Sequence, residues 1–90
     1  MRVKFFANLR NVTRVREVDV EATENIGLLL NKLVEMYGDQ FRDTIFDDDG
    51  KLRKFYKILH NGRDIDFEQG LKTKLEKDDV VAIFPPAGGG

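Results

Sequence analysis

The sequence predicts an α+β fold in which one main helix covers one face of a mixed sheet, and three observations carry that prediction. A single stretch, Ile26 to Tyr37, has sustained helical periodicity; short apolar runs flank it on both sides; and the two most apolar runs, Val3 to Ala7 and Val80 to Phe84, stand near opposite ends of the chain. Short strands grouped before and after one helix form a layered sandwich, not alternating βαβ units. Ninety residues make one small domain, and a composition 41% hydrophobic and 10% aromatic is enough for a packed core.

Val3 to Ala7 is apolar on both faces near Phe5 and Phe6, which suits a central strand. Arg14 to Val20 alternates Arg16, Val18 and Val20 with Val15, Glu17 and Asp19, so it reads as a second, more exposed strand joined to the first through Asn8 to Thr13. Thr23 is the expected cap of the helix, Glu24 lies in its positive first turn, and Ile26, Leu29, Leu30, Leu33 and Tyr37 form its apolar stripe, broadened by Leu28, Val34 and Met36. Gly27 is a weak helix former, costing up to ~1 kcal/mol near the first turn, and Gly38 is the stop signal. Phe41 to Lys54 lacks a sustained period and is expected to be an irregular segment, with room for one helical turn, anchored by Phe41, Ile45, Phe46 and Leu52.

Phe55 to His60 reads as a third strand, and Asn61-Gly62 is the favoured two-residue hairpin turn into a short return around Arg63 to Asp66. Leu71 to Asp79 is a turn-rich crossing, and the continuous apolar run Val80 to Phe84 belongs at a sheet centre. Pro85 and Pro86 end it, because neither can donate a ladder hydrogen bond. The order strand, strand, helix, strand, strand, strand is the ubiquitin-like β-grasp pattern. Its sheet order 2-1-5-3-4 sets the first and last strands side by side and parallel at the centre. Residues 1–86 are then a ubiquitin-like β-grasp domain and 87–90 a flexible C-terminal glycine tail.

Most chemistries lack their residues. Without cysteine there are no disulfides, thiolate metal sites or cysteine nucleophile. Fifteen basic against sixteen acidic residues give no basic excess, which disfavours direct nucleic-acid binding. No apolar run approaches the ~20 residues of a membrane span, and the expectation is a cytoplasmic protein. The single histidine, His60, shows no partner in the sequence and reads as a strand-end residue. Asp47-Asp48-Asp49-Gly50 fails as a calcium loop because Ile45 and Tyr56 fall where oxygen donors are required, leaving a solvated acidic turn. Glu24, Glu35 and Glu68 are scattered, so no catalytic residues and no metal site are assigned.

Gly88-Gly89-Gly90 follows a buried strand and two stiffening prolines. Glycine has no Cβ, so such a run can thread a narrow channel and present a terminal carboxylate; the alternatives are a frayed end or a cloning remnant.

Phe84-Pro85-Pro86-Ala87-Gly88-Gly89-Gly90, preceded by Asp79 to Ile83, resembles the C-terminus of the MoaD/ThiS family, in particular the small subunits of molybdopterin synthase. Val3 to Arg10 resembles the family's first strand with its following Leu-Arg, Leu29 to Gly38 its helix, and Leu59-His60-Asn61-Gly62 its third-strand turn. The chain departs from the pattern at Asn11-Val12-Thr13, where a glycine usually closes the first turn, and at Asp78, often glycine. Its longer Phe41 to Tyr56 segment resembles archaeal MoaD-like proteins and small archaeal modifiers.

The resemblance implies a sulfur carrier, not an enzyme, that binds no cofactor of its own. An E1-like adenylating enzyme of the MoeB/ThiF type would use ATP to activate Gly90, with Gly88 and Gly89 threading the channel. A sulfur donor would then convert Gly90 to a thiocarboxylate. The acceptor would be a pterin precursor in a molybdopterin synthase large subunit of the MoaE type, for molybdenum or tungsten cofactor synthesis. Protein lysines or tRNA thiolation are the alternative destinations, and a plain β-grasp binding module is the alternative outside the family. Phe84, Pro85 and Pro86 are the expected partner-binding residues, with apolar neighbours on the sheet face opposite the helix; otherwise Phe84 completes the core.

Overall fold

Alternating apolar residues in β1 (Arg2–Phe5) and β5 (Val80–Phe84) set the middle of the molecule: Val3, Phe5, Val81 and Ile83 are all fully buried. The computed structural model describes residues 1–86. β1 and β5 run parallel, with Val3 beside Val81 and Phe5 beside Ile83. β2 (Glu17–Asp19) pairs antiparallel on the outer side of β1, and β3 (Lys57–His60) pairs antiparallel with β5 and carries the two-residue β4 (Arg63–Asp64) at its other edge. The sheet order β2-β1-β5-β3-β4 is the one that the sequence predicts.

The main helix α2 (Ile26–Tyr37) buries Ile26, Leu29, Leu30 and Leu33 against the inner face of this sheet. The stripe is narrower than expected, because Leu28 and Met36 stay exposed and only Val34 of the three flanking residues packs on the core. Its cap is Asn25, not Thr23. The Asn25 Oδ1 accepts the Leu28 N–H at 2.9 Å, whereas the Thr23 hydroxyl donates to the Asn25 carbonyl at 2.9 Å. Such a cap contributes about 1 kcal/mol.

Three segments expected to be irregular or extended are helical. Ala7–Leu9 forms a 3₁₀ turn that runs into a single-turn helix α1 (Arg10–Thr13), and Leu9 and Thr13 close the edge of the core. Strand β2 is correspondingly shorter than the alternation in 14–20 implies. After Gly38, which at φ 84° reverses the chain, α3 (Asp39–Ile45) presents Phe41 and Ile45 to the core four residues apart. Phe5 meets Tyr37 and Phe41 edge to face, with ring centroids 5.8 and 6.2 Å apart. Beyond β4, two 3₁₀ turns, Ile65–Phe67 and Gly70–Lys72, lead back toward β5.

The expected hairpin turn is present, with Asn61 at φ 51° and Gly62 at φ 86°. In the connection from β1 to β2, left-handed backbone falls on Ala7 at φ 53° and Arg14 at φ 66°, without a glycine. Asp78 has no positive φ, so the turn before β5 makes no demand for glycine there.

Candidate functional site

Strand alternation divides β5 between two environments: Val81 and Ile83 enter the core, while Ala82 and Phe84 face the side opposite the helices. Phe84 is therefore half-buried and lies outside the buried core. Its ring stacks on Phe6, with centroids 4.2 Å apart and planes inclined by 13°. The Arg10 guanidinium lies 5.3 Å from the Phe6 centroid, while its Nε donates to the Phe5 carbonyl at 2.8 Å. Arg10, Phe6 and Phe84 thus brace the point where the chain leaves the sheet, and Pro85 and Pro86 follow as half-buried residues. Gly88, Gly89 and Gly90, with the rest of the 87–90 tail, lie outside the described residues.

Around this root, the outer sheet face has a narrow apolar centre and charged margins. Lys4, Ala82 and Leu59 stand in one row across β1, β5 and β3. On one side Arg2 meets Glu17 at 3.0 Å and Asp19 at 3.1 Å; on the other Lys57, paired across from Phe84, meets Asp64 at 3.2 Å. The Asp66 backbone N–H, assisted by Lys57, holds the Asp64 carboxyl below its ordinary range. These exposed pairs orient the face more than they stabilise it.

His60 has partners that its sequence neighbourhood does not reveal. Its Nδ1 lies 3.0 Å from Glu68 and its Nε2 2.7 Å from Asp79, with the ring and both carboxylates largely buried. Asp79 also accepts from the Asn61 amide at 3.0 Å and from the Glu76 N–H at 2.8 Å. Burial alone would lower the His60 pKa, but the bonds to Asp79 and Glu68 outweigh it and raise the value above 6.5. Burial acts against the Asp79 carboxylate too, yet its bonds to Asn61, His60 and the Glu76 N–H draw its pKa below 3.8. This cluster sits at the start of β5, the end remote from Phe84, and ties the crossing segment to the sheet.

In the acidic turn, the Asp47 carboxylate accepts from the N–H groups of Asp49 at 2.9 Å and Lys51 at 3.0 Å, so that oxygen shapes the turn. Among the described residues no group of three or more His, Asp or Glu side chains is placed to hold a metal ion. Nor is any described helix long and apolar enough to cross a membrane.

The model of the ThiS family matches residues 3–90 of this sequence. The chain belongs to the ThiS family. Within it, small archaeal modifier protein 3 of Haloferax volcanii is 32% identical over 94 residues, covering all of this chain and 98% of that relative. A protein of Archaeoglobus fulgidus described as a candidate sulfur carrier is 32% identical over 74 residues, covering 82% of each chain. The solution structure of small archaeal modifier protein 1 from Methanosarcina acetivorans superposes with a TM-score of 0.88 at 32% identity, covering 99% of this chain and 94% of that one. The ThiS-family fold is therefore the ubiquitin-like β-grasp expected from the order of elements, and the resemblance drawn from the first strand and the Phe-Pro-Pro ending holds at family level.

Proposed function

We propose that this chain is a sulfur carrier whose reactive group is the Gly90 carboxylate. The observation that carries the reading is the ThiS-family match, which extends through residue 90 and so includes the glycine run. An E1-like adenylating enzyme supplies ATP: a carboxylate oxygen attacks the α-phosphorus, pyrophosphate leaves, and an acyl-adenylate forms. Sulfide-level sulfur then attacks the acyl carbon as hydrosulfide and AMP leaves with the displaced oxygen, so one terminal oxygen has been replaced by sulfur. Where the sulfur comes as a persulfide, a thiol cleaves the resulting acyl disulfide, is itself oxidised to a disulfide with the donor, and leaves the same thiocarboxylate. The chain contributes no acid, base or metal to these steps. It presents a carboxylate on a narrow tail, held at its root by Phe84, Pro85 and Pro86 and steered by the outer sheet face. On this reading the thiocarboxylate serves molybdopterin-type cofactor synthesis in a MoaE-type large subunit.

A second reading, attachment of Gly90 to protein lysines as a ubiquitin-like modifier, is favoured by the full-length likeness to small archaeal modifier protein 3. Both readings share the adenylation step and part at the nucleophile that displaces AMP. Intact mass of the protein isolated from its native cell separates them. Exchange of one oxygen for sulfur supports the carrier, ladders of higher-mass conjugates support the modifier, and an unaltered terminus under every growth condition removes both.

A further inference from the structure

Two features of the sequence remain unused by the tail chemistry, the glycine inside the main helix and the acidic turn after α3, and they line the same groove. Its floor is the flank of α2 carrying Gly27, Leu28, Asn31 and Val34. One wall is the 3₁₀ turn with Leu71 and Lys72; the other is the end of α3 with Phe46, Asp47 and Asp48. The groove has a volume of about 920 Å³ and uses no residue of β1 to β5 or of the Phe6–Phe84 root.

Gly27 lies against one wall. A Cβ at this position would stand 3.4 Å from the Leu71 carbonyl oxygen and 3.4 Å from the Asn25 Oδ1, in ordinary van der Waals contact, so the 3₁₀ turn with Leu71 packs directly beside the first turn of the helix. Leu28 and Leu71 are 45% and 38% exposed, so two of the protein's exposed large apolar side chains face one cleft. Half-buried Val34 and Phe46 continue the apolar strip.

The two ends differ in charge. Arg42 is engaged by Asp39 at 3.1 Å and Asp43 at 3.5 Å, which leaves Asp47 and Asp48 to set a negative rim at the α3 end. Lys72, at the other wall, has no ion pair among the described residues and sets a positive rim. Gly27 to Val34 spans about 10 Å of helix, the reach of roughly three extended residues between the two rims.

We propose that this groove docks a short segment of a partner protein, with an apolar centre over Leu28, Val34, Phe46 and Leu71. A basic residue of the segment faces Asp47 and Asp48, and an acidic residue faces Lys72. The opposed rims argue for a zwitterionic peptide over a lipid or a singly charged metabolite, since each end rejects the wrong sign. The site lies off the sheet face that steers the tail, so a partner held here leaves Gly90 free for chemistry, and the proposal stands whether the tail carries sulfur or modifies lysines.

The test is an NMR titration of the ¹⁵N-labelled full chain with two capped hexapeptides, Lys-Arg-Leu-Val-Glu-Glu and its reverse, against an all-acidic control of the same apolar centre. The expected result is saturable shifts at Gly27, Leu28, Asn31, Phe46 and Lys72 with one mixed-charge peptide, none at Phe84, and none with the control. Leu28→Glu should weaken that binding by about tenfold or more. Asp48→Lys should abolish the preference for the basic end. Both positions are exposed, so an unchanged thermal transition verifies that the variants fold. No saturable shift from either mixed peptide at millimolar concentration, shifts confined to the outer sheet face, or equal response to the acidic control would each overturn the proposal. Concentration-dependent shifts of the same residues without peptide would assign the groove to a second copy of the chain and overturn it likewise.

Discussion

His60 shows how a residue one step from a hairpin turn can hold a fold together without advertising it. Glu68 and Asp79, eight and nineteen residues away, close on its two ring nitrogens, and the imidazolium is favoured because both partners are carboxylates. The folded pKa of His60 lies above its unfolded 6.5, so its contribution is complete below pH 6.5 and is lost as the pH rises through the folded value. Asp79, with its pKa depressed from 3.8, contributes fully above pH 3.8 and fades as the pH falls through its folded value. The cluster is therefore complete between these limits. Replacing His60 with Ala, which leaves two carboxylates facing each other, should destabilise the domain most in that window and progressively less toward alkaline pH. Urea unfolding at a series of pH values checks this, and a difference that stays flat from pH 5 to 10 would contradict it. Nothing local in the sequence signals such a site, because its members meet only after the sheet has formed. The cap was misplaced for a related reason: Thr23 and Asn25 are both good capping residues, and only the backbone geometry decides which side chain reaches a free N–H.

At the scale of elements, period and burial were readable wherever a segment was long or apolar enough to impose them. The stripe of α2 and the runs of β1 and β5 are such segments, and their places in the sheet followed. The short helix α3 was not, because two buried residues, Phe41 and Ile45, are too few to establish a 3.6-residue period against an irregular alternative. In β5 alternation alone assigns opposite roles to adjacent aromatic and aliphatic side chains. Ile83→Ala, which empties a fully buried position, should cost about 2–5 kcal/mol, whereas Phe84→Ala, which removes a half-buried stacking partner of Phe6, should cost nearer 1 kcal/mol. Denaturant unfolding of the two variants measures the contrast. If Phe84→Ala proved as damaging as Ile83→Ala, Phe84 would return to the core and lose its assigned role in holding the root of the tail.

For the whole molecule, the topology connects stability and function by separating them. Among the described residues every buried apolar residue of the core falls between Val3 and Ile83, and the central parallel pair β1–β5 is complete at Phe5 beside Ile83. Ala87-Gly88-Gly89-Gly90 carries a single methyl group among its side chains and so has little apolar surface to offer any core, while the proposed chemistry resides entirely at Gly90. Deleting Gly90 should leave the thermal transition within about 1 °C of the parent, since a change of 1 kcal/mol moves a domain of this size by roughly 4–8 °C. The same deletion should abolish ATP–pyrophosphate exchange with the cognate activating enzyme, because no terminal carboxylate reaches the nucleotide. Gly89→Val should act in the same direction: its branched Cβ restricts the backbone and widens a tail that, on the proposed mechanism, threads a glycine-wide channel. Measuring exchange and thermal unfolding on the same preparations keeps a folding defect from passing for an activation defect. Full exchange by the protein lacking Gly90 would remove that residue as the reactive end, and exchange surviving truncation to Pro86 would remove the carrier mechanism itself.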